Sequence, residues 1–570
     1  MDAQIRAAGT RVVVMTSQHP HPGRDDRERP LPTLVRQRAE QTPDALFVTD
    51  IGVGSYTYGE IEATARRWAG ALVAAGVLPG DRVGVAMAGS AAAVIAWLAV
   101  AKSGAVEVAV NLEYSAQTLL PVLIDCETRV LVASSRQLPG LSEVLRDPDS
   151  PVTTVLVPDA TGPTRLTAPA GVRYLTEEYI PSDTSQKVGS AIGAATAGEI
   201  ELPPEPRICD TACVIFTSGT TGRSKGVAMS WRKLYIAAVA TWDDQGLSAD
   251  DVYYSPAPLF HVSGKSPLYQ MAIAGGTVVV RERFSASGYL DDIRKYGCTH
   301  GMLLLAMANY LMAQPGSAED RNNPLRRVSI APMVADPAAF RDRFGVEVAT
   351  FYGQTELSLP LVTPWNANVP GSCGRVRPGF QLKIVDEHDA ELPAGSVGEL
   401  VVRTDRPWML LTEYVNNPAA TAQAWRNGWF HTGDAFRCDA EGNYFFVDRM
   451  RDTIRRRGEN ISSLQVEAAI SRHPAVAECA AIPRPSQWGE DDIVLVVVAP
   501  DVPEGAREAL AGELRAMVPR YMRPDVIVWS ADLPKTATGK VQKAVLRSLP
   551  GLVAAGPSRS DPPRADQSHG

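Results

Sequence analysis

An apolar stretch, Cys213-Val-Ile-Phe216, runs without a break into Thr217-Ser-Gly-Thr-Thr-Gly-Arg-Ser-Lys-Gly-Val227. The dozen residues from Phe216 to Val227 hold three glycines, five hydroxyls and two cations. Glycine frees the backbone to curl, so successive N–H groups converge on one anion. Thr217, Ser218, Thr220 and Thr221 add side-chain donors, and Lys225 adds a full charge. A strand that ends in such a loop reads as a phosphate cradle. The glycines at 219, 222 and 226, with Lys225 ahead of the last, do not make the Walker A pattern. A flexible Ser/Gly/Thr surface loop has the same composition, so the rest of the chain has to decide.

The flanking sequence alternates. Thr33 to Gln41 reads as a helix with Thr33 as its N-cap. Ala45 to Thr49 reads as a strand, Tyr58 to Ala75 as a helix broken by Gly76, and Arg82 to Ala86 as a strand. Apolar strands recur at 130–132, 154–157, 213–216 and 276–280. The pattern predicts an α/β fold with mostly parallel strands. Residues 185–206 read as a surface insertion or linker. Beyond about residue 375, short alternating strands such as Phe380–Val385 and Gly398–Arg403 predict a β-rich subdomain. An arginine-rich stretch follows Asp448-Arg449. After it comes a compact α+β pattern, with a helix at Ser463–Arg472, a strand at Asp492–Ala499 and a helix at Glu504–Met517. The expected division is a disordered leader at 1–30, a large N-terminal domain at 31–448, a hinge at 449–452, a small C-terminal domain at 453–550 and a disordered tail at 551–570.

Bulk properties remove several function classes. A chain of 570 residues exceeds what one core supports. The net charge of −8 argues against a nucleic-acid partner. The seven cysteines are scattered without Cys-x-x-Cys or zinc spacing, which fits free thiols in a reducing cytoplasm. The longest apolar run, Ala91–Ala101, has eleven residues where a bilayer span needs ~20, so it reads as a buried helix and not as a membrane anchor.

Four more stretches carry candidate chemistry. Phe351-Tyr-Gly-Gln-Thr-Glu356 leaves the strand-like run Val346–Thr350, and ligands in open α/β sheets sit at strand ends. There Thr355 can bond a phosphate, Glu356 can hold Mg²⁺ through oxygen and Tyr352 can stack on a base. Trp429-Phe-His-Thr-Gly-Asp434 places a carboxylate suited to ribose hydroxyls, or simply a turn aspartate. Asp448-Arg449 suits the same sugar or a domain junction. Leu533-Pro-Lys-Thr-Ala-Thr-Gly-Lys540 puts a lysine at the tip of a glycine-containing turn.

Taken in order, Phe216–Val227, Tyr352–Glu356, Thr432–Asp434, Asp448-Arg449, Arg457-Gly-Glu-Asn460 and Pro534–Lys540 resemble the AMP-forming adenylating superfamily of acyl-CoA synthetases, peptide-synthetase adenylation domains and luciferases. The likeness is collinear over roughly residues 31–548. It is nearest to the carnitine/crotonobetaine-CoA-ligase-like branch. The resemblance implies that the α+β C-terminal domain is mobile, that ATP and Mg²⁺ are used and that CoA is co-substrate. It assigns Thr217, Ser218, Gly219, Thr220, Thr221, Gly222 and Lys225 to the ATP phosphates, and Tyr352, Gly353 and Gln354 to the adenine side. Thr355 falls at the α-phosphate, Glu356 at Mg²⁺, Asp434 and Arg449 at the ribose. Lys540 would bridge the substrate carboxylate and ATP. Arg451 matches the hinge, and Gly458, Glu459 and Asn460 the thiol side. His261, in Pro258-Leu-Phe-His261, matches a gate at the acyl pocket. Lys265, one turn further on, reads as a solvated helix residue.

One segment departs from the family. Arg327-Val-Ser-Ile-Ala-Pro-Met333 stands where many relatives carry a glycine-containing Ser-Gly-Gly-Ala-Pro-like run bordering the adenine and acyl tail. The expected activity is an ATP-dependent, AMP-forming ligase that joins a small carboxylic acid to CoA, as a monomer or homodimer. An adenylating enzyme with another acceptor (an amine, a carrier-protein thiol or an oxyanion such as nitrite) is the alternative, and a non-catalytic nucleotide-binding relative the third.

Overall fold

The computed structural model describes residues 28–160, 167–180, 201–217, 224–241, 246–367, 369–450, 452, 454–456, 459–486, 491–536 and 539–549, with the backbone alone at 455, 456, 459 and 460. Two large sheets build the N-terminal part. One has eight strands in the spatial order 413–414, 225–230, 211–217, 106–109, 82–86, 130–133, 154–157 and 173–176. It is parallel from 211–217 onward, while 225–230 and 413–414 pair antiparallel at one edge. The other has seven strands in the order 347–349, 327–331, 300–304, 252–255, 277–280, 46–50 and 54–57, antiparallel only at its last pair. The mostly parallel α/β reading therefore holds. Parallel strands buried on both faces read as unbroken apolar runs, such as Val130–Ala133 and Thr277–Val280.

The helix Ala91–Lys102 is buried along its whole length. Its one basic residue, Lys102, pairs with Glu62 of the helix Tyr58–Ala74 at 2.8 Å. Trp97 stacks on Trp231 at 5.6 Å, and Trp231 meets Tyr269, which locks this helix against Trp231–Ala238 and Val262–Ala274.

The first helix spans Leu31–Gln41, with Pro30 at the N-cap position. Thr33 is not the cap: its hydroxyl donates to Glu205 Oε2 at 2.8 Å, beside an Arg36–Glu205 ion pair at 2.7 Å. Pro32 in the first turn presets the helical φ and moves the start forward. Glu205 thus docks the end of the stretch read as an insertion; residues 181–200 lie outside the described set.

The β-rich part is a four-stranded antiparallel sheet of Phe380–Val385, Gly398–Thr404, Phe430–Cys438 and Tyr444–Arg449. From residue 454 onward the chain has its own cores. Glu478–Pro485, Asp491–Val498 and Val526–Ser530 form a three-stranded sheet, covered by the helices Ser463–Ile470, Arg507–Ala516 and Lys543–Ser548. The helix expected at 504–517 begins as a 3₁₀ turn, Glu504–Ala506, before Arg507–Ala516. All seven cysteines are free. Among the described residues no helix is long and apolar enough to cross a membrane.

Candidate active site

Most of the candidate residues come from three places: the strands 211–217 and 225–230, the segment after strand 347–349, and the four-stranded sheet. Strand 211–217 carries the phosphate-loop sequence out of the sheet, and Lys225 begins the strand that returns, opposite Thr217. Ser218, Gly219, Thr220, Thr221 and Gly222 lie outside the described residues. Lys225 is half-buried and its Nζ sits 4.7 Å from the centroid of the Tyr414 ring.

The Phe351–Glu356 segment turns sharply after strand 347–349. A Cβ at Gly353 would lie 2.4 Å from Leu359 Cδ2 and 3.2 Å from Ser358 O, so a larger residue here would have to push the Leu359 side chain aside. That turn brings two side chains, Tyr352 and Gln354, to Asp434. Tyr352 is buried, packs on Phe436 at 4.7 Å and Phe446 at 6.4 Å, and donates its hydroxyl to Asp434 Oδ2 at 2.6 Å. Gln354 Nε2 donates to the same Oδ2 at 2.7 Å and to the Thr432 carbonyl at 2.9 Å. Arg449 Nε lies 2.9 Å from Asp434 Oδ1. Burial holds the Asp434 carboxyl above the ordinary carboxylate range, with Arg449, Tyr352 and Gln354 pulling it back. Among the described residues this Oδ1 has the Arg449 ion pair but no hydrogen bond in good geometry, which leaves room for a ligand donor. Asp434 and Arg449 face each other across neighbouring strands, so a register pairing makes this clamp.

Thr355 is half-buried with no protein partner for its hydroxyl among the described residues. Glu356 accepts from Tyr414 Oη on Oε1 at 3.0 Å, and Oε2 takes no hydrogen bond from a described residue. One carboxylate with one oxygen uncommitted, and no cluster of three or more His, Cys, Asp or Glu among the described residues, matches the way Mg²⁺ is held by one or two carboxylates plus substrate phosphates. The site therefore fits the metal.

His261 caps the helix Val262–Ala274 and lies against Phe260, ring centroids 4.9 Å apart. Burial, reinforced by the charge of Lys540, lowers its pKa to about 4. Lys540 stands exposed at the tip of its loop, where Gly539 takes φ +76° and the Lys540 carbonyl accepts from Thr536 N at 2.8 Å. The protein around its ammonium holds the Lys540 pKa below the ordinary lysine value; Arg449 pushes the same way and Asp434 opposes. The structure thus brings Lys540, His261, Arg449 and Asp434 within electrostatic reach of one another, although Lys540 and His261 are 279 residues apart in the chain.

Asp448 ties the strand Tyr444–Arg449 to the helix Ser463–Ile470. Its Oδ2 accepts from Ser463 N and Oγ, both at 2.6 Å, and Lys543 Nζ bonds Ser463 Oγ at 2.5 Å and Glu467 at 2.7 Å. Arg547 pairs with Asp452 beside it. Arg451 and Gly458 lie outside the described residues. Glu459 and Asn460 form a short strand with Ile454–Arg456.

Lys265 corrects its sequence reading. It is not solvated: it is 1% exposed, bonds Glu107 Oε2 at 2.5 Å and sits 3.8 Å from the centroid of a Trp97 ring. Its partner is 158 residues away, so local spacing carried no sign of it. Tyr414 was missed too, as a single aromatic in an otherwise unmarked stretch. In the divergent segment, Arg327–Ala331 is a strand whose Arg327 pairs with Glu347 at 2.9 Å at the far end of the sheet. Four strand residues span about 13 Å, so only the Ala331–Met333 end reaches the edge that carries the site.

Comparison with known proteins agrees with this geometry. Residues 35–412 match the AMP-binding enzyme family, and residues 465–540 match the AMP-binding enzyme C-terminal domain. A crotonobetaine/carnitine–CoA ligase from Proteus mirabilis is 30% identical over 505 residues, covering 87% of this chain and 93% of its own. ATP-bound MatB from Rhodopseudomonas palustris superposes with a TM-score of 0.72 at 25% identity, over 90% of this chain and 98% of its own. The o-succinylbenzoate CoA synthetase MenE from Bacillus subtilis, in complex with an acyl-adenylate, superposes with a TM-score of 0.74 at 24% identity, over 91% and 98%. With both modules present in order, and with a relative of 30% identity over most of its length, this chain belongs to the AMP-binding enzyme family and is a ligase of the AMP-forming type.

Proposed function

We propose that the enzyme activates a small carboxylic acid with ATP, releases pyrophosphate, and transfers the acyl group from the acyl-adenylate to CoA. The convergence of Lys540 on His261, Arg449 and Asp434 carries the reading. A carboxylate and ATP are both anions, and they meet only where fixed positive charge awaits them. Asp434 and Arg449 hold the ribose, with Tyr352 and Gln354 keeping Asp434 in place. Thr355 donates to the α-phosphate as the carboxylate oxygen attacks it. Lys540 bridges the attacking carboxylate and the same phosphate, and stabilises the charge that develops between them. Lys225 and the loop at 217–222 grip the departing β- and γ-phosphates. Mg²⁺ held by Glu356 supplies charge neutralisation on the phosphates and a better leaving group. His261, neutral above about pH 5, borders the acyl group without adding a further cation.

The acceptor step follows from the two-domain build. The domain beyond a hinge at 449–452 carries Lys540 in and out of the site, and its rotation presents Gly458, Glu459 and Asn460 to the thiol. The use of ATP and CoA and the seven free thiols support a cytoplasmic enzyme, and a monomer or homodimer is the proposed state.

The test is a panel of carboxylic acids, with nitrite included, assayed for ATP–pyrophosphate exchange and separately for AMP release with and without CoA. The reading expects exchange with at least one acid and AMP release that depends on CoA. Exchange without CoA dependence would assign another acceptor, and no exchange with any member would overturn the assignment to small acids.

A further inference from the structure

Tyr414 belongs to no motif, yet it touches two of the charged groups assigned to the ATP phosphates and their metal. It is 6% exposed and lies on the two-residue strand Glu413–Tyr414, opposite Val227 of the strand that begins with Lys225. The surrounding backbone stitches that strand to both groups. Leu411 N donates to the Glu356 carbonyl at 2.8 Å, and Val415 N donates to the Gly226 carbonyl at 2.8 Å. Within this frame the hydroxyl donates to Glu356 Oε1 at 3.0 Å and the ring face lies 4.7 Å from Lys225 Nζ.

We infer that Tyr414 is a positioning residue that sets Glu356 and Lys225 for metal-bound ATP. A carboxylate rotates freely about its terminal bond unless one oxygen is fixed. Here the Tyr414 hydroxyl fixes Oε1, and Oε2, which takes no hydrogen bond from a described residue, is left for a cation. Hydrogen-bonding partners of this kind orient a metal-binding carboxylate, and their loss costs 10–100-fold in metal affinity in known sites. The ring does a second task. Lys225 has no carboxylate partner among the described residues, and the ring face keeps its ammonium at the loop without neutralising it. A carboxylate in that position would cancel the charge that the phosphates need. The inference rests on Glu356 as the metal residue.

The experiment measures ATP binding by calorimetry in the absence of any acid, once with excess Mg²⁺ and once with EDTA, on the full chain. The ratio of the two affinities isolates what the metal adds. Tyr414→Phe keeps the ring and removes only the hydroxyl. It is expected to reduce the metal-dependent gain roughly tenfold and to leave the EDTA affinity within about twofold. Tyr414→Leu is expected to lose the same gain and, in addition, to weaken ATP severalfold in EDTA, because the ring over Lys225 is gone. Glu356→Gln is expected to abolish the gain, and adding Tyr414→Phe to it is expected to cost nothing more. An unchanged gain in Tyr414→Phe overturns the inference, as does an equal loss in both conditions, which a merely structural role would give. A full gain in Glu356→Gln would instead remove the metal reading of Glu356 itself.

Discussion

Lys265 of the large N-terminal part and Lys540 of the C-terminal part are treated by the fold in opposite ways. Lys265 lies under the parallel sheet with its charge cancelled on the spot by Glu107 and its ammonium against Trp97. Lys540 sits at a loop tip, tied through its backbone to Thr536 and bonded to no carboxylate among the described residues. Its field is left over, and it reaches His261 across the domain boundary. A charge that is neutralised in place is part of the frame. A charge kept without a carboxylate partner is available to a substrate, as the proposed reaction requires.

The largest effect expected from breaking this contrast lies in the buried pair. Glu107→Ala leaves a cation with no counterion in the core and should cost about 3–5 kcal/mol in urea unfolding. Replacing both residues by Leu and Met should recover most of that loss, since a well-packed apolar pair avoids desolvating two ions. A small effect of Glu107→Ala would show that Lys265 finds water or another partner, and the two lysines would then be less different than the structure says.

Lys540→Ala comes next. Removing a charge that acts only as the reacting atoms change should lower adenylate formation by about 10²–10³-fold. The second half-reaction, measured as thioester formation from supplied acyl-adenylate, should stay within a few fold, and stability should not move. The same variant should raise the His261 pKa from about 4, because one of its two depressing causes is gone; an NMR titration of His261 reads this directly. Equal losses in both half-reactions would put Lys540 with the frame.

A third lysine sharpens the comparison. Lys233 is fully buried, and its Nζ contacts Met229 Sδ at 3.2 Å. Burial lowers its pKa to about 8, against weaker support from Cys213 and Glu356. The folded state therefore binds this proton less tightly than the unfolded chain, whose lysine titrates near 10.4. Below pH 8 both states hold the proton and the burial cost is fully present. Between pH 8 and about 10.4 only the unfolded state holds it, so stability from this group rises with pH. Lys233→Met should accordingly be more stable than the parent at pH 7, by roughly 1–3 kcal/mol, with the difference narrowing as pH rises through that window. A constant difference across it would mean that Lys233 is not buried as a cation.

These lysines also show what was readable beforehand. Apolar patterning is a local property, so the strands at 82–86 and 380–385 could be placed from the alternation along the chain, and the buried helix at 91–101 from its unbroken apolar run. The Lys540 loop was readable because its Gly, Thr and Lys stand together in the chain. The partner of Lys265 was not, since Glu107 lies 158 residues away on another strand, and a lone lysine one turn into a helix looks the same whether it meets solvent or a glutamate. Tyr414 was hidden for the same reason: its meaning comes from Glu356, 58 residues earlier. Asp434 and Arg449 were readable as residues but not as a pair, because their facing positions depend on strand register.

The smallest effect is expected where the two kinds of charge stand side by side. Lys535 lies five residues before Lys540 in the same loop and pairs with Glu478 at 2.5 Å, with both side chains more than a third exposed. Solvent screens such a pair, and the cost of ordering two long side chains offsets much of the attraction. Lys535→Ala should therefore change stability by less than about 1 kcal/mol and leave ATP–pyrophosphate exchange within a few fold. The loop keeps its form through the backbone bonds of Thr536 with Gly539 and Lys540, which the substitution does not touch. A loss approaching that of Lys540→Ala, with stability unchanged, would show that the Glu478 pair aims the loop. Partnered and unpartnered charge would then no longer separate frame from chemistry in this domain.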